Sequence, residues 1–188
     1  MNISSEQLDQ ALFALNDQLA LRRGRVHLIV IGGSGLIAIE AVSRATRDVD
    51  VVALERDGEL VSADPLPTIV RDAAAIVARD LGLEANWLNA GPTGPLLHGL
   101  PAGFVERLLI REYGVALRVS FAARVDQIFF KLYAAADRRD ARDFDDLERL
   151  TPTDDELRAA VRWARTHNMP GPFDDSDGAR TRRPWGGG

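Results

Sequence analysis

Cysteine is absent from this chain of 188 residues, which excludes disulfides, thiolate zinc sites and cysteine nucleophiles together. Histidine is scarce. The three present, His27, His98 and His167, stand far apart in sequence and read as isolated core or surface residues rather than as a metal set. Excess positive charge is lacking too: the formal net charge of −5 argues against general electrostatic binding to nucleic acid and leaves room only for a local basic patch. Lysine is nearly missing, Lys131 being the single one among 23 basic residues. No apolar run approaches the roughly 20 residues that span a bilayer. The N-terminus opens on Asn, Ser, Glu and Gln rather than on a basic segment and an apolar core, so the expectation is a cytoplasmic protein with no membrane partner. What is present is ordinary for a globular chain, 46% hydrophobic and 27% charged residues, enough for one core.

Ser4-x-x-Gln7 is a capping box ahead of Leu8, Ala11, Leu12, Leu15 and Leu19 at helical spacing, so residues 5–22 read as an amphipathic helix that Gly24 ends. Continuous apolar runs at 26–31 and 49–54 read as buried strands, with a helix over 34–44 between them. Residues 57–67 read as polar turn, 68–81 as a helix stopped by Gly82, 84–88 as a short strand and the proline-bearing stretch 91–103 as a loop. The runs 104–112 and 115–122 flank Tyr113-Gly114 as a β-hairpin, which makes the sheet mixed. A helix follows from Val125, then one over 140–150 with Phe144, Leu147 and Leu150 expected to face the core. A third, capped by Thr153-x-x-Glu156, runs to about residue 166. The expected class is α/β in the broad sense, more closely α+β: a small mixed sheet flanked by helices, with further helices at the C-terminal end. One domain over 1–168 is expected, with a core of about 24–122 and C-terminal helices of about 125–168. The stretch 169–188, rich in Gly, Asp, Arg and Pro, is expected to be a disordered tail.

The most informative segment runs from Gly33 to Asp50 and places a glycine turn and a D-x-D pair between the two core strands. Alternate strand residues share a face, which puts the Asp48 and Asp50 carboxylates side by side with Cα atoms roughly 6.5 to 7 Å apart. Two carboxylates that close repel one another. A divalent cation removes the conflict, and Mg²⁺ takes one or two carboxylates together with substrate phosphates and waters. The glycines stand where a nucleotide phosphate would accept hydrogen bonds from a helix N-terminus. The same stretch also fits a relaxed dinucleotide-binding fingerprint, Gly33-x-Gly35-x-x-Ala38 with Glu55 at the end of the second strand, which would make the protein an NAD(P)-binding oxidoreductase. Against that reading, the chain downstream does not keep alternating strands with helices, and the fingerprint leaves Asp48, Asp50, Arg44, Thr46 and Arg47 without a role.

An apolar strand, Gly33-Ser34, a short helix and then Asp48-Val49-Asp50 resemble the signature of the nucleotidyltransferase superfamily typified by DNA polymerase β. Within it, the turn Gly32-Gly33-Ser34, the run from Arg44 to Asp50, Lys131 and the run Arg142-Asp143-Phe144-Asp145-Asp146-Leu147 look like the AbiEii-type toxin nucleotidyltransferases and their bacterial relatives. Asn86-Trp87-Leu88-Asn89 is similar to a segment of some of those relatives. The resemblance covers about residues 26–150. It implies transfer of a nucleotide from an NTP to RNA or protein with Mg²⁺ or Mn²⁺ as cofactor, in a toxin or phage-defence setting with a tRNA or protein acceptor and a cognate antitoxin. It implies that Asp48 and Asp50 hold the metal and, with Lys131 and Asp143, form the catalytic set. Gly32, Gly33, Ser34, Arg44, Thr46, Lys131 and Asp146 would bind the nucleotide.

Read without the resemblance, Lys131 is a lone lysine in an apolar helix and fits a snorkelling side chain, while Arg44 and Thr46 serve equally to cap the short helix. Asp143 and Asp146 lie three apart and so share a helix face. One feature departs from the superfamily. Its usual third carboxylate is missing from the strand after Gly114, where Arg118 and Ser120 stand. Either another acid such as Asp143 takes the proton, or the protein is a catalytically weakened module that binds nucleotide or a partner.

Overall fold

The computed structural model of the chain describes residues 3–91, 94–138 and 140–167. Among them the order is α1 (Ser5–Leu21), β1 (Val26–Ile31), α2 (Gly32–Ala38), β2 (Val49–Arg56), β3 (Glu59–Ser62), α3 (Thr68–Leu81), β4 (Leu88–Asn89), α4 (Gly94–His98), β5 (Leu109–Glu112), β6 (Leu117–Phe121), α5 (Arg124–Arg138), α6 (Ala141–Arg149) and α7 (Asp154–Arg165). The capping boxes at Ser4 and Thr153 both form and start α1 and α7. No helix among the described residues is long and apolar enough to cross a membrane. The stretch 169–188 lies outside the described residues.

The strands form one six-stranded sheet in the order β3-β2-β1-β6-β5. The short β4 pairs with β2 at the end opposite β3. β1 runs antiparallel to β2 and parallel to β6, so the sheet is mixed and the class is α+β. That antiparallel pair rules out the dinucleotide-binding reading, whose glycine turn must join parallel strands. Glu55 confirms the mismatch: it pairs with His27 at the far end of β1 from Gly33, and its carboxylate contacts His27 Nδ1 at 2.6 Å.

Alternation along the strands divides the core in two. Leu28, Val30, Val51, Val119 and Phe121 pack on one face with Leu12 and Leu15 of α1 and Val70 and Val77 of α3. Ile29, Ile31 and Val52 pack on the other with Phe104 and with Phe130 of α5. Trp163 of α7 clamps that second layer through edge contacts to Phe129, Phe130 and Tyr133, and its Nε1 donates to the Gly99 carbonyl at 3.0 Å. The orientation of α5 over the sheet is thereby set.

Several elements differ from the sequence expectation. α2 starts at Gly32 and ends at Ala38 because Glu40 turns left-handed at φ 59°, with Ala41 N–H donating to Leu36 and Glu40 N–H to Ile37, a Schellman cap. β2 runs to Arg56 and folds back through Asp57-Gly58, both at positive φ, into β3, where only polar turn was expected. The loop 91–103 contains α4, and the β5–β6 hairpin is shorter than its apolar runs. Phe144 is 41% exposed rather than core-facing; α6 instead buries Asp143 and Asp146 beside Leu147 and Leu150. Cations from two other segments satisfy those carboxylates, so the inward stripe of α6 is partly ionic.

Candidate active site

β1 ends at Ile31 directly opposite Asp50 of β2, and the turn that follows is glycine for spatial reasons. Gly32 has φ 74°, and a methyl group there would press into Asp50 Oδ2. On the other side a methyl group at Gly91 would lie 2.8 Å from Asp50 Oδ1. Both carboxylate oxygens of Asp50 therefore face bare glycine backbone. Asp48 and Asp50 flank Val49, which is fully buried, so both half-buried aspartates turn away from that core layer. The Asp48 carbonyl accepts a bond from Thr46 Oγ1 at 3.4 Å. Thr46 in turn backs Gly33, where a methyl group would lie 2.6 Å from its hydroxyl and 3.9 Å from Arg44 Nη1.

Arg44 does not cap α2. It reaches across the molecule to Asp146 on α6, donating from Nε to Oδ1 at 2.9 Å and from Nη2 to Oδ2. Lys131 of α5 joins from the other side, its Nζ 2.8 Å from Asp143 Oδ1 and 2.7 Å from Asp146 Oδ2. Asp146 is fully buried, Asp143 and Lys131 nearly so. Burial pushes the Asp146 carboxyl up, but the hydrogen bonds and charges of Arg44 and Lys131 outweigh it and hold the group below its ordinary value. Two aspartates and two cations thus form one interlocked cluster behind α2.

Lys131 also lines an open cleft of about 180 Å³ whose wall includes Gly32, Asp50, Pro95, Tyr133 and Asp137. Of the residues singled out in sequence, Gly32, Asp50 and Lys131 meet in this cleft. Asp143 and Asp146 attach to it through Lys131, and Gly33, Arg44 and Thr46 form the layer behind the turn. Asp48 adjoins the cleft without lining it. Ser34 is fully buried, and its hydroxyl, like both polar atoms of the Gln127 amide one turn before Lys131, finds no hydrogen-bond partner among the described residues.

The strand after Gly114 supplies no acid, and its polar residues are engaged elsewhere. Ser120 Oγ lies 2.7 Å from His27 Nε2, and Arg118 bonds Glu112 at 2.6 Å. The strand that lies beside β2 at its aspartate end is β4, which sets Asn89 opposite Asp50. Sequence reasoning saw Asn89 only as part of a similar segment, and it missed Gly91, Pro95, Tyr133 and Asp137. A strand of two residues carries no periodicity, and cleft-lining residues spread over five elements carry no spacing.

A mixed sheet flanked by helices, with a glycine turn between one core strand and an acidic pair on its antiparallel neighbour, is the architecture of a nucleotidyltransferase. Residues 9–157 match the model of a family described as nucleotidyltransferase of unknown function (DUF6036), and the chain belongs to that family. No curated protein and no solved structure matches the chain.

Proposed function

We propose that this chain is a divalent-metal-dependent nucleotidyltransferase that moves a nucleotide from an NTP onto an RNA or protein acceptor and releases pyrophosphate. The observation that carries the reading is Asp50, whose two oxygens face Gly32 and Gly91 and which shares one cleft with the chain's single lysine. The donors are all carboxylate oxygens, which fits Mg²⁺ or Mn²⁺. Among the described residues no group of three or more His, Cys, Asp or Glu side chains gathers to hold a metal. Asp48 and Asp50 are the pair that would hold it, matching the one or two carboxylates Mg²⁺ takes beside substrate phosphates. Such a cation, when bound, neutralises the charge that grows on the phosphates.

The chain's own residues supply the rest. Gly32 and Gly33 leave the turn bare for close approach of phosphate, Arg44 and Thr46 brace it from behind, and Lys131 contributes to the cleft wall. The acceptor hydroxyl oxygen bonds to the α-phosphorus as the bond from that phosphorus to the pyrophosphate oxygen breaks. Its proton goes to a carboxylate; the AbiEii-type resemblance is what supports giving that role to Asp143, which joins the cleft through Lys131. A toxin or phage-defence role, with tRNA among the acceptors and a cognate antitoxin as partner, belongs to the same proposal and is supported by the AbiEii-type resemblance alone. Incubation with each labelled NTP, Mg²⁺ and total tRNA is expected to give a labelled product that Asp48→Ala and Asp50→Ala abolish, a loss of at least roughly 10³-fold. No label with any NTP, on tRNA or on protein, overturns it.

A second reading, a catalytically weakened module that binds nucleotide or a partner, is favoured by the pairing of Lys131 with two buried carboxylates. It predicts thermal stabilisation by NTP without turnover, and multiple turnovers dispose of it.

A further inference from the structure

β4 is only two residues long, yet it is firmly anchored. Val49 N–H donates to the Trp87 carbonyl at 2.6 Å, and the fully buried Trp87 donates from Nε1 to the Ala74 carbonyl of α3 at 3.0 Å. That anchoring sets Asn89 in parallel register directly opposite Asp50. Gly91 follows with φ outside the left-handed region, so the position uses its lack of a side chain rather than its conformational freedom. A methyl group there would stand 2.8 Å from Asp50 Oδ1 and 3.2 Å from Asn89 Oδ1. The two oxygens approach the place that a side chain at position 91 would take, and glycine admits them there.

We infer that Asn89 is a further metal-positioning residue: its side-chain carbonyl is a third protein oxygen toward the cation of Asp48 and Asp50, and Gly91, lacking a side chain, lets it come beside Asp50 Oδ1. The inference rests on the metal-dependent reading above. An amide carbonyl is a hard oxygen donor that suits Mg²⁺ or Mn²⁺, but it carries no charge and takes no proton. Three side chains then present two negative charges instead of three. The site binds the cation weakly alone and tightly with the phosphates of an NTP, which supply the missing charge. The amide orients the cation and leaves the proton of the acceptor hydroxyl to another group.

The test is Mn²⁺ binding to the full chain, followed by electron paramagnetic resonance with and without ATP, beside the melting temperature of each metal-free variant. Asn89→Ala is expected to weaken Mn²⁺ binding on the order of tenfold. Asn89→Asp, which restores a charged oxygen at the same place, is expected to tighten binding without ATP by a similar factor and to shrink the gain that ATP brings. The second variant keeps the test sharp, since a gain in affinity cannot come from misfolding. If Asp50→Ala loses Mn²⁺ while both Asn89 variants bind as the unaltered chain does, the inference fails and the metal-dependent reading stands. If the unaltered chain binds no Mn²⁺, or Asp50→Ala binds it undiminished, that reading fails and the inference with it.

Discussion

Arg44–Asp146 and Arg107–Asp126 are built alike and respond to protons in opposite ways. Each aspartate is fully buried, and each receives a forked pair of bonds from one guanidinium, with Nε at 2.9 Å in the first pair and 3.0 Å in the second. Burial pushes the Asp126 carboxyl above its ordinary value, and the bonds from Arg107 do not offset it. Burial pushes Asp146 the same way, yet that group ends below its ordinary value because Lys131 adds a second cation at 2.7 Å. One arginine does not hold a fully buried carboxyl below its ordinary value in this fold; an arginine and a lysine do. The pair beside the cleft is therefore a fixed negative charge under two cations. The pair at the start of α5 is a staple between the turn at 105–107 and that helix.

The largest effect separating the two sites comes from deleting the aspartates. Asp146→Ala strands Arg44 and leaves Lys131 with Asp143 alone in a buried setting, a loss of roughly 3–5 kcal/mol. Asp126→Ala strands only Arg107, whose side chain is 35% exposed and can rehydrate, so its cost is roughly 1–3 kcal/mol. Urea unfolding of the two variants at neutral pH measures both. Equal losses, or a greater one for Asp126→Ala, would show that the second cation does not matter.

The next effect converts one site into the other. Lys131→Met removes the second cation and leaves Asp146 in the environment of Asp126. In the unaltered chain the lowered Asp146 contributes stability that is present above the ordinary carboxylate value and is lost as pH falls below it toward the folded value. With the shift reversed, the fold favours the protonated acid, and stability is gained as pH falls through the raised value. Lys131→Met should therefore cost about 2 kcal/mol at neutral pH, with the deficit narrowing steadily in unfolding series carried down to about pH 3.5. A deficit that stays constant with pH would mean that Lys131 acts through packing and not through charge.

Much of this site was legible because its residues break the pattern of their own elements. A lone lysine in an apolar helix, two aspartates on one face of the next helix and a D-x-D pair at the head of a core strand all point to charge held where apolar side chains belong. The strand at 26–31, the helix at 68–81 and the three C-terminal helices were legible through periodicity and caps. Contacts between distant segments were not. Nothing local to Arg44 reveals that it turns to Asp146 on α6. Asn89 meets Asp50 only because Trp87 is pinned to α3. The β2–β3 hairpin was missed for another reason: β3 is exposed at both ends and half-buried between them, so it shows no alternation, although its Asp-Gly turn was visible.

The smallest effect tests whether burial alone separates Asp126 from an ordinary ion pair, and a third arginine–carboxylate pair supplies the control. Arg124 at the start of α5 bonds Glu156 in the first turn of α7, Nη1 to Oε1 at 2.7 Å, and the same guanidinium donates to the carbonyls of Leu150 and Thr151. Glu156 is far less buried than Asp126. The Arg124 guanidinium, followed by the Thr153 backbone N–H, lowers its carboxyl to about 2, with only a minor opposing push from burial. Pairing with one arginine thus lowers a carboxyl near solvent, and the opposite shift at Asp126 belongs to desolvation. Because the folded value is depressed, Glu156 adds stability that is complete above the ordinary glutamate value and is lost as pH falls from there toward about 2. Glu156→Gln keeps the shape of the capping box and removes the charge, so it should cost about 1 kcal/mol at neutral pH and progressively less in acid. Unfolding of this variant beside Asp126→Asn decides the matter. The Glu156→Gln deficit should close as pH falls, while Asp126→Asn, which mimics the protonated form the fold prefers, should compare best with the unaltered chain at neutral pH and lose ground in acid. Parallel trends for the two variants would mean that burial does not set the sign of the shift.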